Sequence, residues 1–177
     1  MSKIGLAGSI SVGKSSLVKE LAKLEQFKGY KIETERSQEI RDKGVKLNTD
    51  STLLGQTVFA SYRCLELLHP DMITDRSIID VMAFTNLSKS MSTVEKESFC
   101  DYASNIIPLY DHIFYVSPEG VELEDNGIRI FDAEYRDQID IEIKRLLSIY
   151  GSKINKFHTI SGSVEERIEQ VKQALSL

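Results

Sequence analysis

One octet, Gly8-Ser9-Ile10-Ser11-Val12-Gly13-Lys14-Ser15, constrains this chain more than any other stretch, because it satisfies GxxxxGK(S/T) at every constrained position. It follows an apolar run, Lys3–Ala7, that reads as a buried strand, and it precedes Leu17, Val18, Leu21, Ala22 and Leu24, which recur at helical spacing. A glycine-rich turn between strand and helix lets successive backbone N–H groups converge on an anion, and the helix adds the positive end of its dipole. Gly8, Ser11, Val12, Gly13, Lys14, Ser15 and Ser16 are therefore the candidate cradle for the phosphates of ATP. Lys14 is expected to reach the β and γ phosphates, and the Ser15 hydroxyl to bind a Mg²⁺ ion bridging them. The plainer alternative is a Gly/Ser-rich turn that binds nothing.

The remainder alternates in the same manner, which predicts an α/β fold: a P-loop three-layer sandwich with a five-stranded parallel sheet and helices on both faces. Residues 30–33, 72–75, 112–116 and 157–160 read as the further strands. Asp50 is placed to cap a helix whose apolar face includes Leu54, Val58, Leu65 and Leu68, ending at His69 and Pro70. Ser92 with Glu95, and Ser163 with Glu166, have capping-box spacing. Asp125-Asn126-Gly127 is a turn signal, and Ile139, Ile143, Leu146, Leu147 and Tyr150 define a helix ended by Gly151. With 177 residues and 41% hydrophobic content, one domain spanning 1–177 is expected, carrying a lid-like segment at about 119–136.

Net charge of -5 argues against a long nucleic-acid track, which needs clustered Lys and Arg to neutralise backbone phosphates. Cys64 and Cys100 lack metal-ligand spacing and suit a reducing cytoplasm, and His69, His112 and His158 show no metal spacing either. No charged-then-apolar leader is visible and no apolar run approaches the ~18 residues of a membrane span, so a cytoplasmic protein without membrane partners is expected.

Beyond the phosphate motif, four further patches follow in order: Glu33-Thr34-Glu35-Arg36, Asp75-Arg76-Ser77-Ile78-Ile79-Asp80, Tyr110-Asp111-His112-Ile113-Phe114, and Asn126-Gly127-Ile128-Arg129 with Tyr135-Arg136. In this order the chain resembles the small P-loop nucleoside and nucleotide kinases, in particular the branch with the ribosylnicotinamide kinase domain of NAD metabolism and related phage kinases. The resemblance covers most of the chain and implies ATP and Mg²⁺ as cofactors and a small nucleotide or nucleoside as acceptor. It implies a carboxylate at Glu33 acting as general base on a 5′-hydroxyl, a flexible lid flanked by Arg129 and Arg136, and an acceptor pocket walled by the helix carrying Gln56, Tyr62 and Arg63.

The residues themselves point the same way but leave alternatives open. Polar side chains after the first, second and third strands of a parallel sheet converge on one crevice, and Glu33, Arg36, Asp75 and Arg76 hold such positions. Asp75 suits Mg²⁺, or caps the helix at Ser77. Arg76 suits a phosphate or the acceptor's 5′-oxygen, or forms a surface ion pair. Arg36 has a fork that fits an acceptor phosphate, while Glu33, Glu35 and Arg36 together also read as solvated charges opening a helix. Arg129 and Arg136 suit a lid clamp on the transferred phosphoryl group; alternatively Arg129 lies on a hairpin surface and Arg136 pairs with Asp132 or Asp140. Asp80 supports the crevice or pairs with a neighbouring base.

The leading expectation is transfer of the γ-phosphoryl group of ATP to a (deoxy)nucleoside monophosphate. A nucleoside kinase acting on a 5′-hydroxyl shares every ATP contact and differs at the acceptor end. A regulatory P-loop ATPase or nucleotide switch is the reading from a different class. A homodimer is compatible with all three.

Overall fold

Five short apolar runs form one parallel sheet in a computed structural model that describes residues 2–119 and 133–177. The strands are β1 (Lys3–Ala7), β2 (Lys31–Glu33), β3 (Met72–Thr74), β4 (His112–Val116) and β5 (Phe157–Ile160), in the order β2-β3-β1-β4-β5. The register sets Ile4 beside both Ile73 and His112, and Glu33 beside Thr74. All neighbouring pairs are parallel, so every strand delivers its carboxyl end to the same edge. The chain lays β2 and β3 on one side of β1 and then crosses to β4 on the other, which opens a crevice at the end of β1.

Period-two alternation divides the core between the faces. Ile4, Leu6, Ile73, Phe114, Val116 and Ile160 pack on one face against Leu17, Val18 and Leu21 of α1 (Lys14–Leu21) and Val171 of α7 (Val164–Leu175). Ala7, Met72, Ile113 and Tyr115 pack on the other face, against α3 (Leu53–Glu66), α4 (Ile78–Asn86), α5 (Thr93–Ser104) and α6 (Ala133–Ile149). Two layers of helix around one sheet match the architecture expected from the sequence. A short α2 (Ser37–Asp42) follows β2.

Both expected capping boxes form, at Ser92 with Glu95 and at Ser163 with Glu166, and a third joins Ser77 to Asp80 at the start of α4. α3 departs from expectation in two ways. Its cap is Thr52, whose hydroxyl accepts from the Gly55 N–H, and Asp50 lies in a preceding 3₁₀ turn. Its leucines face outward: Leu54, Leu65 and Leu68 are exposed, while Gln56, Arg63 and Glu66 are buried. This inversion brings a polar helix face toward the crevice, where apolar side chains would leave buried polar neighbours without partners.

His112 and His158, distant in sequence, meet on β4 and β5 with Nδ1 and Nε2 at 3.1 Å, and burial lowers both imidazoles from their ordinary value. No helix of the described residues is long and apolar enough to cross a membrane. The Asp125-Asn126-Gly127 turn, Arg129 and most of the expected lid segment lie outside the described residues.

Candidate active site

The turn after β1 has the conformation that its sequence requires. Gly13 holds φ 82° at the N-cap of α1, in the left-handed region that side chains with a Cβ rarely adopt, and a Cβ there would also stand 3.1 Å from Arg167 Nη1. A Cβ on Gly8 would come within 2.8 Å of the Val116 carbonyl oxygen, so the loop can lie against β4 only with glycine at that position. Ser11 also has positive φ, at 54°. The first N–H groups of α1, from Lys14 through Ser16, have no earlier turn of helix to donate into.

Lys14 is buried, and its Nζ lies within the loop, donating to the carbonyls of Gly8 and Ser9, at 2.6 Å for the latter, and 3.8 Å from Asp80 Oδ1. Asp80 is completely buried; its Oδ1 accepts from the Gly8 N–H at 3.2 Å and its Oδ2 from the Ser77 N–H at 3.0 Å. Burial raises its carboxyl, and Lys14, then Arg76, oppose that rise. Asp80 thus ties the phosphate loop to the start of α4 and also stands beside the Lys14 ammonium.

Ser15 Oγ donates to Asp75 Oδ2, and Asp75 is buried immediately after β3. Ser77 and Asp80 perform the capping of α4, so the capping alternative for Asp75 is not what the structure shows. A hydroxyl and a carboxylate brought together beside the loop form the hard oxygen donor set that suits Mg²⁺, which takes few protein ligands and shares the rest with phosphate and water. Among the described residues no cluster of three or more His, Cys, Asp or Glu is arranged to hold a metal by protein atoms alone.

One anchor of the loop escaped the sequence reading. Arg167, fully buried on α7, donates from Nη1 to the Val12 carbonyl at 2.6 Å and from Nη2 to the Ser117 carbonyl at 3.2 Å. The signal was available: Arg167 precedes Val171 by four positions, which puts a basic residue on the buried stripe of the helix. Val12 itself is a core side chain, so its contribution to the cradle is main-chain only.

The ends of β2 and β3 supply the second half of the site. Glu33 closes β2 with little exposure, its neighbour Asp75 donates its N–H to the Glu33 carbonyl at 3.0 Å, and Arg36 Nη2 donates to Glu33 Oε2 at 2.5 Å. The solvated-charge alternative fails for Glu33, whereas Arg36 does occupy the N-cap position of α2 and Glu35 accepts from the Ser37 N–H at 2.8 Å. Arg36 also lies over the Tyr62 ring at 5.2 Å. Arg76 stacks on Phe84 at 5.0 Å, with Nε 3.7 Å from Glu35 Oε1.

Arg76, Gln56, Phe59, Phe84, Ser37 and Asn48 are among the residues lining a cleft of about 400 Å³, counting its open mouth. Gln56 is 3% exposed. Arg63 does not line this cleft. Its Nη1 donates to Thr74 Oγ1 at 2.7 Å and to the Arg76 carbonyl at 2.6 Å, and its Nη2 to Glu66 Oε1 at 2.6 Å, so the expected acceptor contact is corrected to a brace behind the crevice. Arg136 is buried where α6 meets the loop; its carbonyl accepts from Ser9 Oγ at 2.6 Å and its Nη2 donates to the Pro118 carbonyl at 3.3 Å. Asp140 instead accepts from Tyr115 and pairs with Lys144.

Comparison with known proteins places this geometry. No curated protein matches the sequence. A deoxyadenosine kinase from M. mycoides, solved with dCMP and a flexible dCDP as products, superposes with TM-score 0.72 at 17% identity, covering 98% of each chain. The same enzyme with bound dCTP superposes with TM-score 0.69 at 18% identity, again over 98% of each. The NadR protein in complex with NAD and AMP-PNP superposes with TM-score 0.73 at 16% identity; the match covers 99% of this chain and 50% of NadR, so the chain spans half of that protein's length. These likenesses show a shared fold, the five-stranded parallel sheet with helices on both faces expected from the sequence. The profile of the AAA domain family matches residues 3–167, from the first strand into the last helix, and the chain therefore belongs to that family of P-loop domains.

Proposed function

We propose that this chain is an ATP- and Mg²⁺-dependent kinase that transfers the γ-phosphoryl group to the 5′-hydroxyl of a nucleoside. The carrying observation is Glu33: a carboxylate at the end of β2, shielded from solvent and adjoining the Thr74-Asp75-Arg76 strand end that leads into the cleft. A hydroxyl acceptor must lose a proton as it attacks, and Glu33 is the group on this side of the crevice suited to take it. Arg36, which the leading expectation assigned to an acceptor phosphate, is engaged by Glu33 and Glu39. That engagement favours the nucleoside over the monophosphate.

The other roles follow from placement. The N–H groups of the loop and of the first turn of α1 hold the triphosphate, and Lys14 exchanges neutral carbonyl acceptors for charged phosphate oxygens, a stronger partnership. Ser15 and Asp75 are the residues that would hold Mg²⁺, which supplies charge neutralisation at the phosphates. Gln56 offers its amide to the edge of a base between the faces of Phe59 and Phe84, and Arg76 holds the acceptor's 5′ end. Arg136, behind the loop, steadies it through Ser9. The monophosphate reading retains one specific support, Arg76, a guanidinium on the wall of the cleft.

ADP release measured over a panel of nucleosides and nucleoside monophosphates, with and without Mg²⁺, tests the proposal. Turnover with nucleosides is expected. Turnover with monophosphates alone would reinstate the other acceptor, and hydrolysis indifferent to every acceptor would favour a regulatory ATPase.

A further inference from the structure

α3 turns polar side chains toward the crevice and apolar ones toward solvent. Its outer stripe, Leu54, Val58, Ser61, Leu65 and Leu68, advances by four, three, four and three residues, the spacing by which one helix keeps a seam toward another. The three leucines are 74, 59 and 77% exposed. The charged residues of α3, Arg63 and Glu66, are both buried and pair with each other at 2.6 Å, so the outer side of the helix carries no charge. A helix side that faces water ordinarily carries charged and polar residues.

α5 extends the apolar tract. It packs beside α3 and runs in the same direction: Ser88 Oγ donates to the Ser51 carbonyl at 2.6 Å and the Lys89 N–H to the Thr49 carbonyl at 2.7 Å ahead of the two helices, and Tyr102 lies against Cys64 near their ends. Val94, at the start of α5, and Tyr102 are 70 and 54% exposed. With the three leucines they leave roughly 500 Å² of apolar surface on two neighbouring helices, a large share of the ~800 Å² that each partner in a stable interface buries.

We propose that this face of α3 and α5 binds a second copy of the chain, in a two-fold dimer whose α3 helices run antiparallel. Size, symmetry and charge all favour that occupant. A two-fold contact requires a surface that complements itself. The stripe reads nearly the same in either direction about Ser61, so Leu54 meets Leu68 of the partner subunit, Val58 meets Leu65 of the partner subunit, and the small Ser61 lies at the axis, where the helices come closest. Near such an axis each charge faces its own copy, which is costly for a chain of net charge -5, and the α3 stripe has no charge to oppose. Glu97 and Asp101, exposed on α5, supply the polar rim of the contact. The cleft opens on the inner side of α3, where Gln56 is buried, so the dimer is independent of which acceptor the cleft takes.

Sedimentation velocity over a dilution series tests the proposal. The unsubstituted chain should sediment at twice the 20.0 kDa of one chain. Leu65→Glu combined with Leu68→Glu should sediment as a monomer throughout, with circular dichroism and a thermal melt checking the fold. Ile149→Glu, exposed on α6 and away from this face, should remain a dimer. Ser61→Cys, made together with Cys64→Ser, should form a disulfide between copies under mild oxidation. A chain that stays monomeric up to its solubility limit overturns the proposal and leaves the face to a partner of another kind. A dimer that survives the two glutamates overturns it as well, because its contact then lies elsewhere, and a dimer that Ser61→Cys does not cross-link overturns the antiparallel arrangement. Should the glutamate variant not fold, Leu65→Ser combined with Leu68→Ser decides: self-association weakened by about tenfold or more supports the dimer, and unchanged association overturns it.

Discussion

At the residue scale, the phosphate-loop lysine is less independent of the fold than its motif suggests. Lys14 is expected to meet ligand, but its ammonium also faces the fully buried Asp80 at 3.8 Å. Lys14→Ala should therefore do two things. Transfer should fall by at least ~100-fold, about 2.7 kcal/mol of transition-state stabilisation. Stability at pH 8 should also fall by about 1–3 kcal/mol, because a buried carboxylate loses its counter-charge. Denaturant unfolding reports the second effect apart from the first; loss of transfer with unchanged stability would show that the pair is not coupled. Glu66 makes a second prediction by linkage. Its carboxyl is raised from 4.5 to about 7 by burial, so its contribution to stability is complete below pH 4.5 and lost as pH rises through 7. Between pH 5 and 8 the unsubstituted chain should lose up to about 3 kcal/mol relative to Glu66→Gln. Equal slopes for the two chains would contradict the burial argument.

At the element scale, what was legible depended on whether an element's pattern reports packing or the site. The strands read well because β1 and β4 are buried on both faces, which makes them continuous apolar runs bounded by polar turns. Ser92 and Ser163 read well because a capping box is a local contract between residues three apart. α3 misled because Leu54, Leu65 and Leu68 lie outside, while Gln56 lines a cleft and Arg63 and Glu66 brace the end of β3. Hydrophobic periodicity assumes that the apolar face is the inner one, and a helix beside a polar site breaks that assumption. The same assumption hid Arg167 among the apolar positions of α7. Its structural weight can be measured: Arg167→Met leaves the Val12 and Ser117 carbonyls unpaired, which should cost about 2–4 kcal/mol in chemical denaturation and weaken ATP binding. Arg167→Lys should recover only part, since one ammonium does not reproduce the planar fork that spans two carbonyls. Unaltered ATP affinity in a folded Arg167→Met chain would remove the anchor from the account.

At the scale of the whole molecule, the sheet order decides where chemistry gathers. β2, β3 and β1 end side by side, so Glu33, Asp75 and the phosphate loop, spread through the sequence, meet at one edge. Sequence reasoning located that edge because the strand-then-helix alternation fixes it. It did not foresee which arginines face the cleft, because each has a carboxylate within reach in sequence and the spacing does not say which is engaged: Arg36 and Arg63 pair with the glutamates three positions away, Glu33 and Glu66, while Arg76 stacks on Phe84. The assignment of acceptor turns on that sorting, whereas the grip on ATP does not. The most direct measurement is isothermal titration of ATP with Mg²⁺ into the folded chain. The account predicts uptake of one ATP per chain that is lost in Lys14→Ala; a folded chain that takes up no ATP would contradict it.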